Sequence, residues 1–164
     1  MYDLFTDDEI YDLWQINNAW WYINYGACPL NGGKQPYSQR NLLRKIISDA
    51  DSCIALPHPG ATLRYGHDTM VMPLTCLMDL DGMGMQVSDL EQLAYKGWNN
   101  YRIFPMACNI QFVFYHKKGS KDILVKVLRN ENEATLPIKT DIAPYYHWKD
   151  VRQYYLDKLN KFTE

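Results

Sequence analysis

Long apolar runs, blocks of like charge and metal-ligand spacings are all missing from this chain, and each absence removes a class of function. No stretch approaches the ~20 consecutive apolar residues that a membrane-spanning helix needs, so a transmembrane protein is not expected. The formal net charge is −2 and no basic run exceeds a few residues. There is thus no global attraction to nucleic acid or to an anionic membrane, and any anion must be held locally. The four cysteines, Cys28, Cys53, Cys76 and Cys108, stand far apart without CxxC or Cys/His ligand spacing, which argues against a zinc site. Asn31-Gly32-Gly33 lacks the Lys-Ser/Thr partner and preceding strand of a phosphate-binding P-loop and reads as a linker. Met1 is followed by acidic Asp3, Asp7 and Asp8 instead of a basic region and an apolar run, so no signal peptide is visible. No cofactor or metal is expected.

What is present describes one globular unit. A chain of 164 residues that is 47% hydrophobic can bury a sizeable core. Residues 1–56 read as a helical segment. Thr6-Asp7-Asp8-Glu9 has the form of a capping box, in which Thr6 and Glu9 satisfy each other's backbone N–H groups. The helix it opens runs to about Tyr25, where Gly26 and Pro29 end it. Its aromatic stripe of Trp14, Tyr22 and Tyr25 could line a ligand pocket but is assigned to packing. Ser38 is the expected cap of a second helix, with Leu42, Leu43, Ile46, Ile47 and Ala50 on one apolar face. Cys76 lies among Leu74, Leu77 and Met78 and is expected to act as a small buried residue.

Residues 57–164 read as a strand-helix signature, an antiparallel hairpin and a terminal helix. Ala61 to Tyr65 is a β-compatible run, Gly66 is expected to take a conformation forbidden to side chains, and His67 and Asp68 follow at the exit. Met70, Leu74, Leu77 and Met78 then recur at helical spacing, with Pro73 expected in the first turn. A strand that feeds a helix through such a turn aims free N–H groups and the positive dipole end at its contents, which suits an anion. Downstream, Asp79 to Arg102 reads as an irregular loop with a short turn of helix near Ser88 to Leu93. Ile110 to Tyr115 suits a strand buried on both faces, and Ile123 to Leu128 returns after Lys117-Lys118-Gly119-Ser120-Lys121. Ala134 to Leu136 suits a last short strand. Val151, Tyr155, Leu159 and Phe162 mark a terminal amphipathic helix that should cover one sheet face.

Arg64-Tyr65-Gly66-His67-Asp68-Thr69 with the apolar helix behind it resembles the second signature of the histidine acid phosphatases, in the branch of phytases and inositol-polyphosphate phosphatases. The later order supports the likeness: Phe104-Pro105-Met106-Ala107, a strand from Asn109 to His116, a second from Asp122 to Arg129, then Leu136-Pro137 and Pro144-Tyr145-Tyr146. The resemblance runs from about Leu42 to the end. It implies an α/β fold, the carboxyl-terminal part of a phosphoglycerate-mutase-like sheet with flanking helices, incomplete relative to the family.

The resemblance also implies roles. His67 would contact the transferred phosphoryl oxygens and Asp68 would protonate the leaving alcohol. The family's nucleophile comes from an Arg-His-Gly-x-Arg-x-Pro motif, and no Arg-His-Gly occurs in these 164 residues; His58, His116 and His147 lack that setting. The expectation is therefore the carboxyl-terminal portion of a phosphomonoesterase, inactive alone, whose partners are a phosphorylated small molecule and an upstream segment carrying the nucleophile. Neither nucleic acid nor membrane is an expected partner. Relatives in this family are often periplasmic or secreted. The alternative is a non-catalytic interaction module that self-associates through an exposed sheet edge.

Overall fold

The computed structural model of the chain describes residues 4–163, so that Met1 and Asp3 of the acidic start lie outside it. Five α-helices are present among the described residues: α1 (Asp7–Tyr25), α2 (Arg40–Ile54), α3 (Asp68–Met78), the single turn α4 (Asn100–Ile103) and α5 (Trp148–Asn160). Four strands form one antiparallel sheet: β1 (Ile110–His116), β2 (Ile123–Arg129), β3 (Asn132–Glu133) and β4 (Tyr146–His147). This is a mixed helix and antiparallel sheet arrangement, consistent with an α/β fragment.

The capping box forms as the sequence demands. Thr6 Oγ1 accepts the Glu9 amide at 3.3 Å while Glu9 accepts the Thr6 amide at 2.8 Å. At α2 the expectation fails. A 3₁₀ turn, Gln35–Gln39, runs straight into the helix, Gln39 is the N-cap, and Ser38 caps nothing. The apolar face of α2 is as read, with Leu43, Ile47 and Ala50 buried and Leu42 and Ile46 partly so.

β2 is the middle of the sheet. It pairs with β1 in full register along one edge, from Ile110↔Arg129 to His116↔Ile123. Its other edge takes β3 at Leu128 and Arg129 and β4 at Leu124 and Val125. The short strand expected at Ala134 to Leu136 falls instead at Asn132–Glu133, and β4 follows it; Asn130 and Glu131 adopt positive φ (50° and 67°) to make the tight turn into β3. Because β1 is an outer strand among the described residues, its side chains from Ile110 to Phe114 are only half-buried, in contrast to the double burial its apolarity implies. Phe114 meets Trp148 edge-on at 5.0 Å, so α5 covers one sheet face as expected.

The centre of the molecule is α3. Seven consecutive residues, Met72 to Met78, are buried, the signature of a helix that is apolar all round. Leu74, Leu77 and Met78 face a core shared with Leu43, Ile47, Val125, Val151 and Tyr155. Met72 and Cys76 face a second core with Tyr22, Cys28, Val87, Leu93 and Trp98. Pro73 is the sixth residue of the helix, one turn deeper than expected, and leaves the Thr69 carbonyl without its helical donor. An interior proline costs about 3 kcal/mol, whereas each buried Leu or Met contributes about 1.5–3 kcal/mol, so packing carries the helix through the defect. Its carboxyl end is capped from α5: Tyr155 donates to the Met78 carbonyl at 2.8 Å and Lys158 to the Leu77 carbonyl at 2.6 Å, a cation placed where the dipole favours it. All four cysteines are free thiols, and burial pushes the Cys76 thiol up to about 12, as befits an inert core residue.

Leu77→Ala should lose about 2–5 kcal/mol of unfolding free energy in urea titration, while Met70→Ala, on the exposed side of the same helix, should stay within about 0.5 kcal/mol. Equal losses at both positions would contradict the central placement of α3. Tyr155→Phe, which strands the Met78 carbonyl in the core, should lose about 1–3 kcal/mol in the same assay.

Candidate active site

The stretch before α3 is not a strand. Residues 55–68 are exposed without interruption, and 57–66 make no backbone–backbone hydrogen bond among the described residues. The β-compatible composition of Ala61 to Tyr65 gives an extended segment with nothing to pair against. Leu63 and Tyr65, 72% and 91% exposed, lie open to solvent. The segment runs back along α2, held by two side-chain contacts one helical turn apart: Cys53 Sγ to Thr62 Oγ1 at 3.2 Å, and the Arg64 guanidinium on the Asp49 carboxylate. Lys45 first and Arg64 with it hold the Asp49 carboxyl below its ordinary range. Arg64 is thereby committed to α2, and no sequence signal distinguished Asp49 as its partner. Gly66 also departs from expectation: its φ is not positive, and an added Cβ would meet only Met70 side-chain atoms at 3.8 and 3.9 Å, ordinary contact distances.

His67 and Asp68 occupy the place predicted for them, at the amino end of α3. His67 is the N-cap, with extended backbone (φ −118°, ψ 165°), and Asp68 is the first helical residue. The His67 carbonyl accepts the amides of Met70 at 2.9 Å and Val71 at 3.1 Å. Asp68 Oδ1 accepts the Thr69 amide at 2.7 Å. Both side chains are exposed, and the His67 side chain makes no capping bond. An imidazole and a carboxyl therefore face solvent together at the amino end of an eleven-residue helix, where the Asp68 carboxyl itself meets the positive end of the dipole. Cys108, half-buried where the chain approaches β1, lies close enough to Asp68 that burial first and that carboxylate second push its thiol up. Nothing in the sequence points to Cys108 at this place.

The other histidines stand apart. His58 is an exposed loop residue beside the Pro59 carbonyl, His116 bonds the Ser120 carbonyl at 3.0 Å, and His147 pairs with Asp122 at 2.8 Å. Two open hollows lie on the surface. One, of about 600 Å³, is lined by Tyr11, Trp14, Tyr95 and Tyr101 among others; the second, of about 320 Å³, by Lys139, Asp141, His147 and Asp150 among others. Neither includes His67 or Asp68. Of the aromatic stripe of α1, Tyr22 is packing, fully buried with its hydroxyl bridging the Met85 carbonyl and the Val87 amide, whereas Trp14 lines the larger cavity. No group of three or more His, Cys, Asp or Glu among the described residues is arranged to hold a metal ion.

No protein-family model matches the chain. Chicken (Gallus gallus) multiple inositol polyphosphate phosphatase 1 is 27% identical over 122 residues, which is 71% of this chain and 27% of that protein. The solved structure of the Bifidobacterium longum multiple inositol polyphosphate phosphatase in complex with inositol hexasulfate is 26% identical. It superposes with a TM-score of 0.62 over 76% of this chain and 27% of its own. The apo form of the same enzyme, at 24% identity, matches in fold with a TM-score of 0.70 over 84% of this chain and 30% of its own. The chain thus spans less than a third of the length of these relatives. By sequence and by structure it is homologous, over part of its length, to the multiple inositol polyphosphate phosphatases of the histidine acid phosphatase family.

Proposed function

We propose that this chain contributes the phosphate-contacting and proton-donating part of a phosphomonoesterase centre acting on inositol polyphosphates, with the nucleophilic histidine supplied by other polypeptide. The observation that carries this reading is the position of His67 and Asp68. In a chain homologous to these phosphatases, the pair stands exposed at the amino end of a helix whose remainder is locked into the core.

The chemistry follows from what each group can do. In phosphoryl transfer the charge on the equatorial oxygens must be met by fixed donors. His67 offers an imidazole N–H, and the dipole of α3 adds to it. Expelling an alkoxide without a proton is unfavourable, and a positioned acid contributes about 10²- to 10⁴-fold. Asp68 is the acid in this scheme, carrying the proton it delivers to the leaving oxygen. A nucleophile is still required, and no Arg-His-Gly occurs in the sequence. Two unpaired extended edges support its arrival on a strand: the segment 57–66, and the side of β1 away from β2. The exposed Leu63 and Tyr65 equally favour a second reading, a binding module that keeps the fold without the reaction.

The isolated chain should not turn over a chromogenic phosphomonoester. Hydrolysis that vanishes in His67→Ala would reject the inactivity and keep the site, whereas hydrolysis that survives it would reject both. Titration of ¹⁵N-labelled chain with inorganic phosphate should shift the amides of His67, Asp68 and Thr69 in particular. Shifts confined to other surfaces, or none at all, would count against the site.

A further inference from the structure

His147 lies between two carboxylates from different parts of the chain, hydrogen-bonded to one and within ion-pair distance of the other. Its Nδ1 lies 2.8 Å from Asp122 Oδ2, at the entrance to β2, and its Nε2 lies 3.4 Å from Asp141 Oδ1. Asp141 belongs to residues 137–145, which connect Leu136 to β4 and wall one side of the 320 Å³ cavity. That connection has an internal frame of its own. The Thr140 hydroxyl donates to the Tyr145 carbonyl at 2.8 Å and accepts the Ile142 amide at 3.3 Å, and the Tyr145 amide reaches the Ile142 carbonyl at 2.9 Å.

A neutral imidazole has one N–H and one lone pair, so it can donate to only one of two flanking carboxylates and must turn its lone pair on the other. The imidazolium has an N–H for each. The charged groups around the ring are Asp122 from the hairpin, Lys139 and Asp141 from the connection, and Asp150 from the first turn of α5. With its side chain only 27% exposed, His147 has a fixed place between them, while Asp141, 82% exposed, is free to swing into solvent.

We infer that His147 is a proton-operated latch, which in its imidazolium form ties the 137–145 connection to the β1–β2 hairpin and in its neutral form keeps Asp122 and releases Asp141. The shorter Nδ1 contact is the one retained because a single N–H goes to the nearer acceptor. The latch closes as the imidazole gains its second proton and weakens again when the carboxylates lose their charge.

The test is amide exchange at Ile142 and Tyr145 in the full chain, read by NMR at about pH 8 and about pH 5.5 and corrected for the intrinsic rate at each pH. In the wild type, protection should rise about two- to fivefold at the lower pH, the scale of a partly exposed ion pair. In His147→Gln and in Asp141→Asn the rise should be absent. Asp141→Asn alters an exposed side chain and reports even where His147→Gln fails to fold. Wild-type protection that does not change with pH, or a rise that persists in Asp141→Asn, would overturn the latch.

Discussion

The burial of α3 from Met72 to Met78 is the constraint on which the rest of the structure depends. One side of that helix closes the core built by α2, α5 and the sheet, and the other closes the core built by α1 and the 83–103 stretch. Two clusters that share a helix cannot move independently of it. Its carboxyl end is fixed by the Tyr155 and Lys158 donors on α5. The amino end is then fixed by geometry, since a rigid helix held along seven residues presents its first turn in one direction. His67 and Asp68 owe their position to this packing, since their own hydrogen bonds stay within the first turn of α3.

The polar connections reinforce the same frame. Asp81, at positive φ, accepts Arg129 Nε at 2.9 Å and the Thr135 amide at 2.8 Å, which joins the exit of α3 to β2 and to the chain beyond β3. Asp51 on α2 accepts the Trp148 indole at 3.0 Å and Arg152 Nε at 2.7 Å from α5. These are partly exposed charge-assisted bonds, of modest individual worth. Their effect is orientation: each joins segments far apart in sequence around α3. Among the described residues, the segment before α3 is tied to α2 by the Asp49–Arg64 and Cys53–Thr62 contacts, and its exposed Leu63 and Tyr65 contribute nothing to a core. The contrast between a fixed helix and a loosely held lead-in is what a completing strand would remove.

Elements whose physics is local were legible in the sequence. The capping box at Thr6, the α2 face of Leu43, Ile47 and Ala50, the hairpin around Gly119 and the terminal stripe of Val151, Tyr155 and Leu159 each follow from periodicity or turn chemistry within a short window. What could not be read depends on neighbours. Ala61 to Tyr65 has strand composition, but a strand needs a pairing edge, and none of the described residues supplies one. β1 has the apolarity of an interior strand, yet topology leaves it outermost. Ser38 is a good cap by type, and the 3₁₀ turn at Gln35–Gln39 made it unnecessary. For the candidate site, the placement of His67 and Asp68 at the amino end of an apolar helix was legible from the helical spacing that follows them. The approach of Cys108 and the engagement of Arg64 by Asp49 were not, because both are set by tertiary packing.

The most direct measurement is phosphatase activity after co-expression of the chain with a segment of a homologous phosphatase that carries Arg-His-Gly-x-Arg-x-Pro. The account predicts a complex that hydrolyses inositol polyphosphates and loses about 10²- to 10⁴-fold in turnover on Asp68→Asn. Failure of the two pieces to associate, or restored activity that Asp68→Asn leaves unchanged, would contradict it.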